Sequence, residues 1–228
     1  MAALAPEDFA FLEPHLTMLD LPRGQIVYEA GETIVHTYFP HDAMVSLVTI
    51  MHDGRSVEMA TFGCEGLFGL VSAFVTRQSF GRYMVQMRGS ASRIELSKMH
   101  EAMAARPEIQ RLVLRFTEAL FAQTLQTVAC NAVHSVEVRC CRWILMSQDR
   151  AGQSDLPLTH EFLAEMLGVQ RSTVSDVART IQDKGLIRQG RGVITVTDRP
   201  GLEAAACECY GIIRQKFQQL LPRTYERD

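Results

Sequence analysis

Apolar and polar residues alternate differently in successive parts of the chain, and the changes divide it into regions. Between residues 25 and 96, short apolar runs are separated by glycine, proline and Asp-Gly turn signals, which is typical of β-strands. From Lys98 the apolar residues recur with the 3.6-residue period of α-helices. Residues 158–196 then combine two short helical stripes with two short strands. The pattern predicts an α+β protein whose sheet region precedes most of its helices.

The N-terminal region is predicted to be a small antiparallel structure. A helix is expected up to about residue 19, with Phe9, Leu12 and Leu16 on one face. Strands are expected at residues 25–28, 33–39, 44–51, 56–62, 83–87 and 92–96. A glycine-rich segment at residues 63–69, which we call the glycine loop, follows the fourth strand. Short strands at this regular spacing predict an antiparallel sandwich or barrel.

A long helix is predicted from Pro107 to at least Cys130, because proline is favoured in the first turn of a helix. It is apolar on two sides, and such a helix needs two packing partners. One partner is expected to be the β domain, and the other the same helix of a second subunit. The alternative is a helix buried entirely within one chain. We assign the dimer interface to one stripe, which consists of Ile109, Leu112, Phe116 and Ala119.

Residues 158–196 predict two short helices joined by a tight turn and followed by a two-stranded wing. Thr159 can cap the first helix through its hydroxyl, and Gly168 supplies the left-handed backbone of the turn. The second helix is expected from Arg171 to Lys184 and ends at Gly185. Its inward stripe consists of Val174, Val177, Ala178 and Ile181. The order of elements indicates a winged helix-turn-helix.

The outward face of the second helix is polar, as a DNA reader requires. A recognition helix places its N-terminal residues against base edges in the major groove, and the guanidinium of Arg171 matches the two acceptors of guanine. Residues 168–199 carry six basic and three acidic residues, a local basic footprint, although acids and bases balance over residues 151–228. The predicted DNA-binding residues are Thr159, Gln170, Arg171, Ser172, Thr173, Ser175, Asp176, Arg179, Arg188 and Arg191.

Composition adds little to this interpretation but excludes several classes of protein. The chain has 228 residues, a net charge of −3 and a hydrophobic fraction of 47%, so it is neither disordered nor a polybasic arm. Its N-terminal residues lack the basic and apolar regions of a signal peptide. No apolar run is long enough to span a bilayer. We therefore expect a cytoplasmic protein without a membrane partner.

The six cysteines contain no CxxC pair, and we expect buried thiols rather than disulfides. Cys207 and Cys209 lie on a helix predicted from Gly201 to Leu221. Because they are two residues apart, they should point to different faces of that helix. The seven histidines are scattered along the sequence. We therefore expect no metal site, and the one cofactor that we consider is an unidentified small-molecule effector.

The sequence resembles the Crp/Fnr family of bacterial transcription regulators over nearly its whole length. The resemblance is carried by GETIVHTYFP, by DGRSVEMATFGCEGLFG, and by LPLTHEFLAEMLGVQRSTVSDVARTIQDKGLIRQGRGVITVTDRPGLE. It implies an N-terminal antiparallel β-roll of the cyclic-nucleotide-binding type at residues 1–106, a dimerisation helix at 107–133 and a winged helix-turn-helix domain at 134–228. It also implies a homodimer on a palindromic operator of double-stranded DNA, with half-sites one helical turn apart. An activator of this family would in addition contact RNA polymerase.

The sequence departs from that family at several functional positions. Members similar to the cyclic-AMP receptor have a glutamate where Leu70 stands, and a serine or threonine where Tyr83 follows Arg82. We therefore expect that cyclic AMP is not the effector. The iron-sulfur members carry N-terminal cysteines, whereas the first cysteine here is Cys64. The family's Glu, Ser and Arg of the recognition helix would match Ser172, Ser175 and Asp176, which predicts a different operator with Arg171 as the main base reader.

The glycine loop still suggests a ligand, because backbone amides in such a loop can hold an anion. The ligand would lie between the β-roll and the long helix, where it could bias the packing of paired helices. The alternative is a tight corner of the roll without a ligand. The predicted effector-binding residues are Gly63, Glu65, Gly66, Gly69, Arg82, Gln123, Thr124 and Thr127.

Two other functions remain in competition with a DNA-binding regulator. One is an effector sensor whose helix-turn-helix head binds a protein rather than DNA. The other is an enzyme, for which the sequence shows no nucleophile elbow and no paired metal ligands. The glycine loop also lacks the Lys-Ser/Thr that completes a phosphate-binding loop. We therefore predict that the protein is not an enzyme.

Overall fold

The computed structural model describes residues 3–222, and its N-terminal part is a β-roll of two antiparallel sheets. One sheet has the strand order β1-β7-β3 and the other β2-β6-β4-β5. The seven strands are β1 (Thr17–Leu21), β2 (Ile26–Tyr28), β3 (His36–Pro40), β4 (Met44–Ile50), β5 (Ser56–Phe62), β6 (Arg82–Met87) and β7 (Gly89–Glu95). The strands predicted between residues 25 and 96 are thus all present, with shifted ends. The predicted antiparallel roll is confirmed.

The predicted N-terminal helix is too long. Helix α1 covers only Pro6–Leu12 and is followed by a 3₁₀ turn at Glu13–His15. Pro14 has no amide hydrogen to donate to a helical carbonyl, so the helix cannot continue through it. The chain instead enters strand β1, which pairs with β7 from Thr17 opposite Arg93 to Leu21 opposite Gly89.

Helix α2 (Leu96–Ala105) leads into the long helix α3 (Pro107–Val133), whose position corrects the predicted dimer face. Ile109, Phe116 and Ala119 are buried in the core of their own chain, and Leu112 packs against that core. Ile109, Phe116 and Ala119 therefore cannot contact a second subunit in this packing, which corrects the predicted dimer face, whereas Leu112 is only partly buried. A different stripe of α3 is exposed, and it consists of Leu114, Phe121, Leu125 and Val128.

The C-terminal domain contains five helices and a small sheet among the described residues. The helices are α4 (Val136–Ala151), α5 (His160–Leu167), α6 (Arg171–Asp183), α7 (Arg199–Ala205) and α8 (Cys209–Leu220). The wing strands β9 (Ile187–Gly190) and β10 (Val193–Val196) are joined by a third strand, β8 (Asp155–Leu156), which pairs with β10. Strand β8 is absent from the sequence-based prediction, because a two-residue strand has no period to detect. The winged helix-turn-helix is confirmed.

The helix predicted from Gly201 to Leu221 is interrupted. Helix α7 ends at Ala205, the backbone of Ala206 is extended, and α8 begins at Cys209. Cys207 therefore lies outside both helices, and the argument that placed it on a different helical face from Cys209 does not hold.

The C-terminal domain packs directly against the β-roll. Met44, Val48 and Met87 of the roll belong to the same apolar cluster as Trp143 of α4 and Met166 of α5. The two domains therefore share a hydrophobic core, and burial of these side chains stabilises their relative position. Across residues 3–222, no helix combines the length and the apolar character needed to cross a bilayer.

The contact of Gly66 with α3 gives a test of this packing. A methyl group on Gly66 would overlap the ring of Phe116. We expect Gly66→Ala to lower the free energy of unfolding by about 1–3 kcal/mol, because overpacking forces the core apart. Urea unfolding followed by circular dichroism measures the change.

The matched control is Gly211→Ala in the exposed part of α8, where a methyl group meets no atom within 4 Å. Alanine is the better helix former, so this variant should be as stable as the parent or more stable by up to about 1 kcal/mol. Equal stability of the two variants would contradict the packing of the glycine loop on α3.

Candidate nucleic-acid interface

The helix-turn-helix is built by the local signals that the sequence shows. The hydroxyl of Thr159 accepts a hydrogen bond from the amide of Phe162 at 3.2 Å and caps α5. Gly168 adopts φ +66°, which a side chain would disfavour, and turns the chain into α6. Val174, Ala178 and Ile181 are fully buried beneath α6. The opposite face of α6 is thereby turned to solvent.

The side chains predicted to read DNA are mostly exposed on that face. Arg171 and Arg179 expose 67% and 69% of their side chains, and Asp176 exposes 76%. Gln170 and Ser172 are exposed as well. The structure thus brings five of the predicted residues together on the accessible surface of α6 and its N-cap.

Two of the predicted DNA-binding residues have internal partners. Ser175 donates to the carbonyl of Arg171 at 3.1 Å, and its Oγ lies 2.9 Å from Nδ1 of His160. Thr159 serves as the helix cap. Thr173 is half-buried. In the free protein, Ser175 therefore contacts α5 through His160, and Thr159 stabilises the N-terminus of α5.

The wing and the N-terminus of α5 complete the surface. Arg188 and Arg191 are both exposed on the wing. An open groove separates the wing from the helices, and it is lined by Arg171, His160, Glu161 and Gln189 among others. Glu161 pairs with Arg171, with 2.8 Å between Oε1 and Nε. Because both partners are well exposed, this pair is weak and can be exchanged for a phosphate or a base edge.

The glycine loop holds a buried ion pair. Nε of Arg150 donates to Oε1 of Glu65 at 2.7 Å, and the two side chains expose only 1% and 2% of their surface. Arg150 also donates to the carbonyl of Met146 and, at 3.0 Å, to Oε1 of Gln123. Arg150 lies in α4, Gln123 in α3 and Glu65 in the roll. The glycine loop is therefore a docking point for α3 and α4, and we call these three side chains the Arg150 junction.

The remaining predicted effector residues do not surround one cavity. Gly63 and Gly66 pack against Arg150 and Phe116, and Gly69 packs against the carbonyl of His36. Nε of Arg82 donates to Glu29 at the surface, at 2.9 Å. The hydroxyl of Thr124 donates back to the carbonyl of its own helix, while Thr127 accepts from Arg142. Gln123 and Thr127 line a small cleft with about 20 Å³ open to the centre of a water molecule, which is room for water but not for a nucleotide.

Aromatic side chains fill the interior of the roll. Phe68 stacks on Tyr38 with 4.7 Å between ring centroids and on Tyr83 with 5.3 Å. Tyr28 and Phe62 contact the same group edge-on or tilted. Burial raises the pKa of Tyr38 to about 12 and also raises the pKa of Tyr83, so both phenols stay neutral.

Sequence reasoning did not identify Arg150 as a key residue. The helical spacing could have indicated that Arg150 is buried. Arg150 lies seven residues after Trp143 and therefore on the same, buried face of α4. An arginine is ordinarily exposed, so only its buried partner, Glu65, distinguishes Arg150.

Comparison with known proteins supports the architecture. Residues 18–106 match the cyclic nucleotide-binding domain family, and residues 138–205 match the Crp-like helix-turn-helix domain family. The chain is 26% identical over 199 residues to the CRP-like cAMP-activated global transcriptional regulator of Mycobacterium tuberculosis, covering 83% of this chain and 88% of the relative. It is 22% identical over 183 residues to the global nitrogen regulator of Nostoc sp., covering 76% and 82%.

Two solved structures share the fold. FixK2 from Bradyrhizobium japonicum superposes with a TM-score of 0.72 at 17% identity, covering 84% of this chain and 98% of that one. The c-di-GMP responsive global regulator CLP of Xanthomonas campestris gives a TM-score of 0.69 at 16% identity, covering 84% and 99%.

The β-roll, the long helix and the winged helix-turn-helix together define a two-domain transcription regulator with a DNA-binding head. The chain belongs to the Crp/Fnr family of transcriptional regulators.

The Arg150 junction gives a second test of the structure. We expect Glu65→Gln to lower the free energy of unfolding by about 3–5 kcal/mol, because it leaves a buried guanidinium without its counter-charge. Urea unfolding at neutral pH measures the loss. The control is Glu29→Gln, which removes the partly exposed pair with Arg82 and should cost about 0–1 kcal/mol. A loss of the same size in both variants would contradict a buried junction.

Proposed function

We propose that the protein is a sequence-specific DNA-binding regulator that acts as a homodimer on a palindromic operator. The observation that carries the proposal is the exposed polar face of α6, backed by a fully buried apolar stripe and flanked by an arginine-bearing wing. Such a helix enters the major groove with its N-terminal residues at the base edges, while the wing follows the phosphate backbone.

Arg171 is the proposed base reader. It is the first residue of α6, and its only ion pair among residues 3–222 is the exposed contact with Glu161. The guanidinium can release Glu161 at little cost and form two hydrogen bonds with O6 and N7 of guanine. Arg188 and Arg191, on the wing, are the proposed phosphate contacts.

The exposed stripe of α3 supports the homodimer. Phe121, Leu125 and Val128 follow one another at spacings of four and three residues, and Leu114 precedes Phe121 by seven. This is the heptad spacing of a two-stranded coiled coil. A contiguous apolar stripe that is exposed to water on a packed helix indicates an interface with another protein surface. The same stripe of a second chain would bury it. Two-fold symmetry would then place the two winged helix-turn-helix domains on two half-sites.

The packed roll supports DNA binding without a cyclic nucleotide. Aromatic rings fill its interior, Glu65 is held by Arg150, and Arg82 is held by Glu29. We propose that the roll serves as a fixed support for α3 and α4 and that cyclic AMP has no effect on DNA affinity. The packing gives no support to a small effector bound at the glycine loop. A contact with RNA polymerase remains an expectation from the family resemblance.

Selection of bound sequences from a random DNA pool, with purified protein and no added ligand, tests the function. We expect a palindromic motif with half-sites about one helical turn apart. Arg171→Ala should still select DNA but lose preference for a guanine in each half-site, a discrimination of about 1–3 kcal/mol. Failure of the parent protein to enrich any motif, with or without cyclic AMP, would contradict the proposal and favour a head that binds a protein partner.

Arg188→Ala, on the wing, is the matched comparison for Arg171→Ala. A phosphate contact carries no sequence information, so the selected motif should be unchanged while affinity for all DNA falls. The slope of log affinity against log salt should become shallower by about 1. A changed motif would instead make Arg188 a base reader.

The dimer stripe is tested by Phe121→Glu. Placing a carboxylate at the centre of the proposed seam should weaken dimerisation at least tenfold, because a buried unpaired charge is costly. Sedimentation equilibrium measures the association, and affinity for a full palindrome should fall in parallel. The control, Arg115→Glu, places the same group on an exposed position of α3 outside the stripe. A dimer that survives Phe121→Glu unchanged would exclude this seam.

A further inference from the structure

Four side chains of metal-ligand type meet where α3 ends. Cys130 lies in the last turn of α3, His134 is its C-cap residue, and Cys207 and Cys209 flank the break between α7 and α8. One ligand atom from each, three Sγ atoms and one imidazole nitrogen, lies within 4.8 Å of all the others. All three cysteines are buried, and the four residues converge from parts of the chain that are more than 70 residues apart.

The break between α7 and α8 makes this convergence possible. Two residues of one continuous helix that are two positions apart point about 200° from each other. Ala206 is extended instead, with φ −79° and ψ 160°, so that Cys207 and Cys209 both reach the end of α3. The extended backbone at Ala206 therefore interrupts the helix and brings the two cysteines to the same place.

We propose that Cys130, His134, Cys207 and Cys209 bind one Zn²⁺ ion. Three cysteines and one histidine form a typical closed, four-coordinate structural zinc site. Zinc–sulfur bonds of about 2.3 Å place tetrahedral ligand atoms about 3.8 Å apart. The structure has 3.5 Å between the sulfurs of Cys130 and Cys207 and 3.6 Å between the sulfur of Cys209 and Nδ1 of His134. Binding releases the three thiol protons to solvent and leaves a complex of charge −1.

The surroundings of the four ligands fit a zinc-thiolate centre. Nε2 of His134 lies 3.2 Å from Oε2 of Glu208, the carboxylate contact that orients a metal-bound imidazole. Nε2 of Gln126 donates to the sulfur of Cys209 at 3.1 Å. A hydrogen-bond donor that points at sulfur stabilises the thiolate. The Glu208–His134 and Gln126–Cys209 contacts would therefore both stabilise metal ligands from outside the coordination sphere.

Two buried arginines lie beside the cluster of Cys130, His134, Cys207 and Cys209. Arg139 and Arg142 are 8% and 4% exposed, and both interact electrostatically with Cys130. Their hydrogen-bond partners are neutral, the amide of Asn131 and the hydroxyl of Thr127. Within residues 3–222 neither guanidinium forms an ion pair. Buried charges are ordinarily paired, and the negative zinc-thiolate complex supplies the missing charge.

The geometry disfavours two other uses of the same cysteines. Cys130 and Cys207 have 3.5 Å between their sulfurs, and both are free thiols in the structure rather than a disulfide. An iron-sulfur cluster would hold its cysteines apart by its own iron and sulfide atoms, whereas these ligand atoms surround the space of one ion. A single ion that prefers thiolate and imidazole fits best.

Metal analysis of the purified full-length protein, reduced and dialysed against a slight excess of Zn²⁺ and then against metal-free buffer, tests the proposal. We expect one zinc per chain. Cys209→Ser should bind less than a tenth of that amount under the same conditions. Cys64→Ser, which alters a cysteine of the glycine loop, should keep the full amount. Circular dichroism confirms that each variant is folded.

Substitution by Co²⁺ and a variant outside the ligand set keep the proposal testable even if a cysteine variant fails to fold. Cobalt in the parent protein should show the intense visible absorption of tetrahedral coordination and a sulfur-to-cobalt charge-transfer band. Glu208→Gln should keep the spectrum and lower zinc affinity by about 10- to 100-fold in competition with a chelator. No stoichiometric metal, an octahedral cobalt spectrum, metal retained by Cys209→Ser, or a Cys130–Cys207 disulfide in place of metal would each overturn the proposal.

Discussion

The buried pair of Glu65 and Arg150 is the interaction on which the arrangement of the protein depends. It joins the glycine loop of the roll to α4 of the DNA-binding domain, and Gln123 of α3 completes it. The free-energy cost of desolvating two charges is offset only when the pair and its hydrogen bonds are complete. The junction therefore forms only when all three parts are in place, and it disfavours any arrangement in which the head swings away from the roll.

The same junction gives no support to an anion site at the glycine loop. A loop of this type can bind an anion through its amides, but here the aliphatic part of the Arg150 side chain, from α4 of the same chain, packs against Gly63. The aromatic rings of the roll fill the volume behind it. The family fold is thus retained, while Arg150, Phe116 and the aromatic rings of the roll pack around the glycine loop.

The parts of the structure that the sequence predicted well are those specified by local signals. Thr159, Gly168 and Gly185 mark the ends of the head helices, and the glycine φ angles follow from the turns themselves. The dimer stripe was misassigned because α3 is apolar on two sides, and periodicity alone cannot say which side faces the roll. The thiol cluster was missed because four residues distant in sequence meet only after the chain has folded and α7 has been interrupted.

Helix α4 connects the Arg150 junction to the cysteine cluster at the end of α3. These two contacts fix the orientation of the DNA-binding domain. Arg150 at its C-terminal end is held by the roll and α3. At its N-terminal end, Val138 packs against the cysteine cluster and Arg139 bonds to Asn131 of α3. A helix held at both ends against the same long helix cannot rotate independently of it. The separation of two recognition helices in a dimer would then be set by α3, so that the spacing of operator half-sites follows from how two copies of α3 pair.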